Sequence, residues 1–596
     1  IAKKIFQLLN RRQRRSLYTL QLLIIAMAML ELMSIAAIGP FMALVADLSL
    51  VAEGGQLHFF YALSKFTSPA DFLFFMGVVV LCMLGLSTVV GIITTWRLSF
   101  FAFTVGMELG NQLYRYYLNR EWLFHAGTTS AQLRSKIGSE IARVTGGILL
   151  PILQLNGRVF VAFVIGLSLF IWNPFIAIVG LSLFGGGYFF IYRVVKERLR
   201  RYDVQFTHAN AESSKLLTEG FGGIKDILML DRSAAFIEQY ENTGILQSRA
   251  QGLTMAISMV PRYFMEFLAF GAMVGLVLFL IRFEGGNLVA VLPQIAIYGL
   301  AGFKMLPALQ QIYANYIIFK GNVNAFDSVR DDLYAACYRA DVSAKEPRSV
   351  PLHIAKSIVL DSVRFRYPSQ AVPALDGVSI TIPLPSVVGI VGATGSGKST
   401  LIDILLGLIE PNEGQLMVDG VVINESTVKS WQSQIRFVPQ SIFLTEGSIA
   451  ENVAFGLRTD EIDEAKVRRA LKLAHLSDFV DTLPDGINTK VGERGVRLSG
   501  GQRQRIGIAR ALYDDSTILV FDEATSALDG ITEKIIMKAI DELAGERTIV
   551  LIAHRLKTVM NSNIIYMLDD GKVIDSGTYN ELIEKNAKFR EMAKHA

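Results

Sequence analysis

Val387-Val388-Gly389-Ile390-Val391-Gly392-Ala393-Thr394-Gly395-Ser396-Gly397-Lys398-Ser399-Thr400-Leu401-Ile402-Asp403 is the stretch on which the reading of this chain turns. Val387 to Val391 is a short, unbroken apolar run, the pattern of a strand buried on both faces. A glycine-rich turn follows, and Leu401-Ile402-Asp403 opens a helix. Strand, loop and helix in this order make a phosphate-binding loop. Gly392, Gly395 and Gly397 let backbone N–H groups approach phosphate oxygens, and the helix N-terminus adds positive potential beside Ser396 and Thr400. Lys398 is expected to reach the β- and γ-phosphates, and Ser399 to ligate Mg²⁺.

Downstream, the apolar run Ile518-Leu519-Val520-Phe521 ends in Asp522-Glu523. A carboxylate at a strand's carboxyl end suits Mg²⁺, held directly or through water, which is the role expected of Asp522. Glu523 is suited to polarising an attacking water as general base. Between the two strands lies Leu498-Ser499-Gly500-Gly501-Gln502, followed by the basic helix Arg503-Gln504-Arg505-Ile506.

That pentapeptide resembles the signature of ATP-binding-cassette (ABC) ATPases, and other cassette elements stand in the family's order. Tyr367 resembles the aromatic that stacks on adenine. Gln440 resembles the glutamine that senses the γ-phosphate, which adds it to Ser399 and Asp522 as an implied Mg²⁺ ligand. Glu493 sits in a loop like the one that cross-links exporter halves, and Ser526-Ala527-Leu528-Asp529 resembles the loop that meets the opposite subunit. His554 resembles the histidine that grips the γ-phosphate. Taken singly, Tyr367 is equally a strand aromatic, Gln440 a solvated loop residue and His554 a core histidine. The resemblance implies ATP and Mg²⁺ as cofactors, with the catalytic work on Glu523, His554, Lys398 and Gln440. It also implies that Leu498, Ser499, Gly500, Gly501, Gln502 and Asp529 complete a nucleotide site shared between two cassettes. One cassette per chain then requires a dimer, by default a homodimer.

Upstream the character of the chain changes. Apolar residues make up 51% of the 596 residues, and the surplus lies before about residue 320. Six stretches are long enough to cross a bilayer: about 17–46, 71–97, 144–172, 174–196, 253–281 and 289–318. The first is too long for a cleavable leader. The expected organisation is therefore a membrane domain over 1–325, a linker over 326–350 and an ATPase domain over 351–596. In fold terms this is an α-helical six-span transmembrane domain fused to an α/β P-loop ABC ATPase domain, a type IV (exporter-type) transporter. Lys3, Lys4, Arg11, Arg12, Arg14 and Arg15 precede the first span, and the second-to-third and fourth-to-fifth connections are long and basic. The positive-inside rule puts both termini, these connections and the ATPase domain in the cytoplasm. A bacterial inner membrane is the expected setting. Glu121–Gly127 and Glu219–Asp226, inside the two basic connections, resemble the coupling segments of ABC exporters.

The net charge of +4 does not point to a nucleic-acid partner. Cys82 and Cys337 form no metal or disulfide spacing. Within the spans lie Glu31, Arg158, Arg262, Glu266 and Lys304. Ionisable groups there face a cavity or a partner. Arg262 and Glu266 either pair along one helix face or line a pathway, while Arg158 and Lys304 have no neighbour in sequence to pair with. Gln56–Phe66, outside the first span, reads either as a helix on the outer surface or as a loop with buried aromatics. Glu31–Ala36, Val260–Glu266 and Phe303–Pro307 resemble segments of the flippases that move polyprenyl-diphosphate-linked oligosaccharides. The expected activity is thus ATP-driven movement of a lipid-linked glycan to the outer leaflet. The alternatives are export of another amphipathic lipid, such as a lipid-A-type molecule, or of drugs. Arg158, Arg262 and Lys304 are the candidate substrate contacts.

Overall fold

The computed structural model describes the chain apart from residues 1, 47, 49–60, 62–65, 67, 284–287, 344–351, 353, 369, 493–494, 523–529, 554 and 595–596. The described chain forms two compact units. One comprises Ile1–Asn119 and Thr129–Asp341; the other comprises Val342–Ala596 together with Arg120–Thr128.

The first unit is helical. Helices α1 (Ala2–Leu8) and α2 (Arg11–Ala46) lead into α3, which runs unbroken from Pro69 to Leu118. Ser68 caps α3 by accepting from the Ala70 N–H at 3.2 Å. The second span therefore continues through Leu109–Tyr114 as one helix of 50 residues. After the short helix α4 (Trp122–Ala126), the chain re-enters through α5 (Ser130–Ser135) and α6 (Ile141–Val144) to α7 (Leu150–Trp172). Two π-helical turns interrupt this run, Lys136–Glu140 and Thr145–Leu149. Asn173 alone separates α7 from α8 (Pro174–Gly222), and its side chain accepts from the Ile176 N–H at 3.2 Å. Proline at the first helical position completes that turn. A second corner, α9 (Ile224–Met229), leads to α10 (Ser233–Phe283).

The last helix, α11, extends from Leu288 to Ser343. Much of the linker expected over 326–350 is therefore helix. Phe326, Val329 and Leu333 are fully buried in it, and a periodic apolar stripe of this kind belongs to a packed helix. Among the described residues, five helices carry a window apolar enough to cross a membrane: Arg11–Val45, Pro69–Leu118, Ser130–Trp172, Pro174–Arg198 and Ser233–Phe279. The outer segment Gln56–Phe66 lies almost wholly outside the described residues. Of it, Tyr61 and Phe66 pack on Phe72, with ring centroids 5.4 and 6.2 Å away.

The second unit holds two sheets. In the first, β1 (Ser357–Phe365) pairs antiparallel with β2 (Leu375–Pro383) and β4 (Glu413–Val418), and β4 with β5 (Val421–Val422). The second has the order β10-β9-β3-β8-β7-β6. Its members are β3 (Val387–Gly392), β6 (Ile435–Val438), β7 (Ile518–Asp522), β8 (Thr548–Ile552), β9 (Ile564–Asp569) and β10 (Lys572–Gly577). All pairs in this sheet are parallel except β9 with β10. β3 and β7 are the apolar runs of the sequence, and apart from their first and last residues respectively they are buried. Helix α12 (Lys398–Leu405) starts at the carboxyl end of β3 and buries Leu401, Ile402, Ile404 and Leu405. Sites in open parallel sheets form at such strand ends.

Candidate functional site

The loop from Gly392 to Ser399 is held by backbone geometry. Gly395 and Gly397 take φ of 85° and 99°, a region costly for any residue with a Cβ. A Cβ on Gly397 would stand 2.5 Å from the Ala374 carbonyl oxygen, and one on Gly392 would collide with the Leu568 carbonyl oxygen. The loop thus forms a tight cradle at the α12 N-terminus. The buried Lys398 ammonium donates to the Gly392 and Ala393 carbonyls, at 2.8 Å each. These are bonds within the loop, which a phosphate oxygen can replace. The Ser396 hydroxyl is buried and makes no hydrogen bond among the described residues. A cradle lined by N–H groups, with an ammonium and an unsatisfied hydroxyl, fits a polyphosphate.

Tyr367 lies in the segment after β1, packed edge-on against Phe365 at 5.0 Å, and its hydroxyl is 3.2 Å from Thr400 Oγ1. The expected adenine platform is thereby tied to the first turn of α12. Asp522 ends β7, two strands from β3. Gln440 lies just past β6 and is exposed. Leu498-Ser499-Gly500-Gly501-Gln502 builds the start of α13 (Gly500–Leu512). There Ser499 Oγ accepts from the Gln502 N–H at 3.2 Å, while Gln502 Oε1 accepts from the Ser499 N–H at 2.8 Å. This reciprocal cap leaves Ser499 and Gly500 exposed at a helix N-terminus. Glu493, Glu523, Ser526, Asp529 and His554 lie outside the described residues.

Trp122 and Leu123, from the segment read as a coupling element, and Asp403, not read as functional, join this site. Trp122 Nε1, in α4, donates to Asp403 Oδ2 at 3.3 Å, and Leu123 packs on the core between the two sheets. Burial pushes the Asp403 carboxyl above the usual carboxylate range; the Trp122 N–H opposes that shift and the Asp522 carboxylate adds to it. The available signal was a lone acid, one helical turn past Ser399, within the apolar run Leu401–Leu405.

The charges within the spans are for the most part paired. Arg158 Nη1 lies 3.9 Å from Glu31 Oε1, with both side chains largely covered. Arg158 has no neighbour in sequence to pair with, and its partner comes from elsewhere in the chain: packing of α2 against α7 joins two charges far apart in sequence. Arg262 Nε donates to Glu266 Oε1 at 2.9 Å, the pairing alternative for these two residues. Lys304, on α11, forms no ion pair among the described residues.

Residues 375–526 match the family described as "ABC transporter", and residues 41–283 match "ABC transporter transmembrane region". An ATP-dependent lipid A-core flippase of Cupriavidus metallidurans is 32% identical over 78% of this chain and 77% of its own. The chain belongs to the ABC transporter family. Its second unit is the transporter's ATPase domain. A flippase of the same description from Cupriavidus pinatubonensis is 44% identical, though over 39% of this transporter, which spans only 40% of that relative's length. A bacterial Atm1-family ABC exporter with ATP bound superposes with a TM-score of 0.75, covering 98% of both chains at 23% identity, so the exporter fold is shared. Both relatives are described as lipid A-core flippases, and neither description names a polyprenyl-linked glycan.

Proposed function

We propose that two copies of this transporter form an ATP-driven flippase for an amphipathic glycolipid of the lipid A-core type. It would work in a bacterial inner membrane with both termini and the ATPase domains in the cytoplasm. The observation that carries the reading is the phosphate cradle of Gly392–Ser399, in a chain whose other unit is built of membrane-length apolar helices.

On this reading, ATP phosphates take the N–H groups of the loop, and Lys398 exchanges its two carbonyl partners for phosphate oxygens. Tyr367, fixed through Thr400, offers its ring to adenine. Ser399, Asp522 and Gln440 would hold Mg²⁺, which supplies charge neutralisation at the phosphates when bound. Glu523 orients and deprotonates the attacking water, and His554 holds the γ-phosphate. The exposed Ser499 and Gly500 end of α13 reaches the nucleotide of the second copy. Dimerisation is also favoured by Phe221, Leu228 and Met229, which are 65–78% exposed around the α8–α9 corner. Apolar side chains clustered this way mark an interaction surface.

The test is reconstitution in liposomes. Lipid A-core should reach the outer leaflet with ATP, and Glu523→Gln should bind ATP normally while turnover falls by roughly a thousandfold. Movement of polyprenyl-diphosphate glycans but not lipid A-core would transfer the assignment to that class. Near-normal hydrolysis by Glu523→Gln would remove the role given to Glu523.

A further inference from the structure

Between α8 and α11 the first unit contains four tyrosines linked in a chain of ring contacts. Tyr188 and Tyr313 have ring centroids 5.6 Å apart, Tyr192 and Tyr313 6.3 Å, and Tyr192 and Tyr316 6.5 Å. The contacts advance together along both helices, so the rings form a ladder between parallel elements. At its lower end the Lys196 ammonium lies over the Tyr192 ring at 5.6 Å, and Lys320 over Tyr316 at 5.9 Å. Both lysines are exposed. Lys196 stands at the end of the Pro174–Arg198 span, where basic residues follow. This is headgroup depth on the side assigned to the cytoplasm.

The upper rungs hold an anomaly. The hydroxyls of Tyr188 and Tyr313 and the amide nitrogen of Gln310 are buried and make no hydrogen bond among the described residues. Buried polar groups are normally satisfied, and in hydrocarbon no solvent compensates for them. Three such groups on facing stripes, one turn apart, therefore mark a place where hydrogen bonds are made to something else. Ring faces and hydroxyls together suit a sugar, which offers C–H groups to aromatic faces and hydroxyls to polar edges. The lysines lie over aromatic rings and form no ion pair among the described residues, which suits them to an anion.

We propose that this ladder is the inner-leaflet docking site for a phosphorylated saccharide headgroup, its sugars on Tyr188, Tyr192 and Tyr313 and its phosphates on Lys196 and Lys320. The inference rests on the glycolipid reading and deepens it. It also moves the expected anion contacts away from Arg158 and Arg262, whose charges are already paired.

The experiment measures binding of three probes to the full-length protein in nanodiscs: lipid A-core, the same glycolipid with its phosphates removed, and phosphatidylglycerol. Melting temperature serves as the folding control. Tyr188→Phe/Tyr313→Phe keeps both rings and should weaken both glycolipids roughly tenfold. Lys196→Gln/Lys320→Gln should weaken lipid A-core by a similar, roughly tenfold factor and leave the dephosphorylated form unchanged. Phosphatidylglycerol should bind more weakly than lipid A-core and ignore the tyrosine changes. Wild-type affinity in both double variants would overturn the site while leaving the glycolipid reading intact. Equal affinity for phosphatidylglycerol would reduce the site to a general anionic-lipid contact and overturn the saccharide assignment. Failure of the unaltered protein to bind either glycolipid would overturn the reading and the site together.

Discussion

At Gly397 one missing methyl group decides whether ATP has a place to bind. Its φ of 99° and the Ala374 oxygen 2.5 Å from a built Cβ exclude any side chain. Gly397→Ala is expected to lower ATP affinity more than tenfold, read with a fluorescent nucleotide, because the loop must shift away from its phosphate-binding shape. Asp376 gives a pH-dependent counterpart. Its carboxylate takes Arg364 of β1 at 2.8 Å and Lys572 of β10 at 3.1 Å, linking the two sheets. Lys572 and Arg364 hold its carboxyl below the ordinary value of 3.8. A depressed pKa contributes stability above the unfolded value, and that stability is lost as pH falls through the folded one. Asp376→Asn should therefore melt earlier than the unaltered protein at pH 7, and the gap should narrow as the pH drops below 3.8. The strand–loop–helix around Lys398 was legible in the sequence because a glycine-rich loop carries its own geometry. The Arg158–Glu31 and Trp122–Asp403 pairs were not, since each depends on two elements being packed together.

Among the elements, the two π-helical turns leading into α7 are where helix packing departs from the pattern of apolar periodicity. Thr145 lies in the second of them, buried, with its hydroxyl bonded to the Ile141 carbonyl at 2.8 Å. Its side chain fills the space left by Gly106 of α3, where a Cβ would collide with Thr145 Oγ1. Gly147 is close in the same way to Asn322 of α11. Gly106→Val is expected to cost about 1–3 kcal/mol through overpacking, seen as a lower melting temperature in detergent. Thr145→Ala in the same background should recover part of the loss; no recovery would mean that the strain lies elsewhere. Apolar length and periodicity located the helices, because burial of one face imposes a repeat. They did not locate the π turns, since an extra residue per turn leaves composition unchanged. Nor did they show that the last helix runs past its membrane span: Phe326, Val329 and Leu333 continue its buried stripe into what reads as linker.

For the whole molecule, the two basic connections are not equivalent. The first contributes Arg120–Thr128 to the ATPase unit, whereas the second remains with the membrane helices. Phe221 and Met229 of that second corner are 74% and 78% exposed. A Phe221→Asp/Met229→Asp variant should bind ATP with unchanged affinity and lose stimulation of hydrolysis by lipid substrate. Full stimulation would mean that this corner does not relay substrate binding. Because Trp122 and Leu123 belong physically to the unit that begins again at Val342, no single proteolytic cut liberates that unit whole. A tail fragment would leave behind the indole that covers Asp403 and the leucine seated on its core. Supplying a short peptide with the sequence of residues 120–128 would be the natural way to make the severed piece whole again.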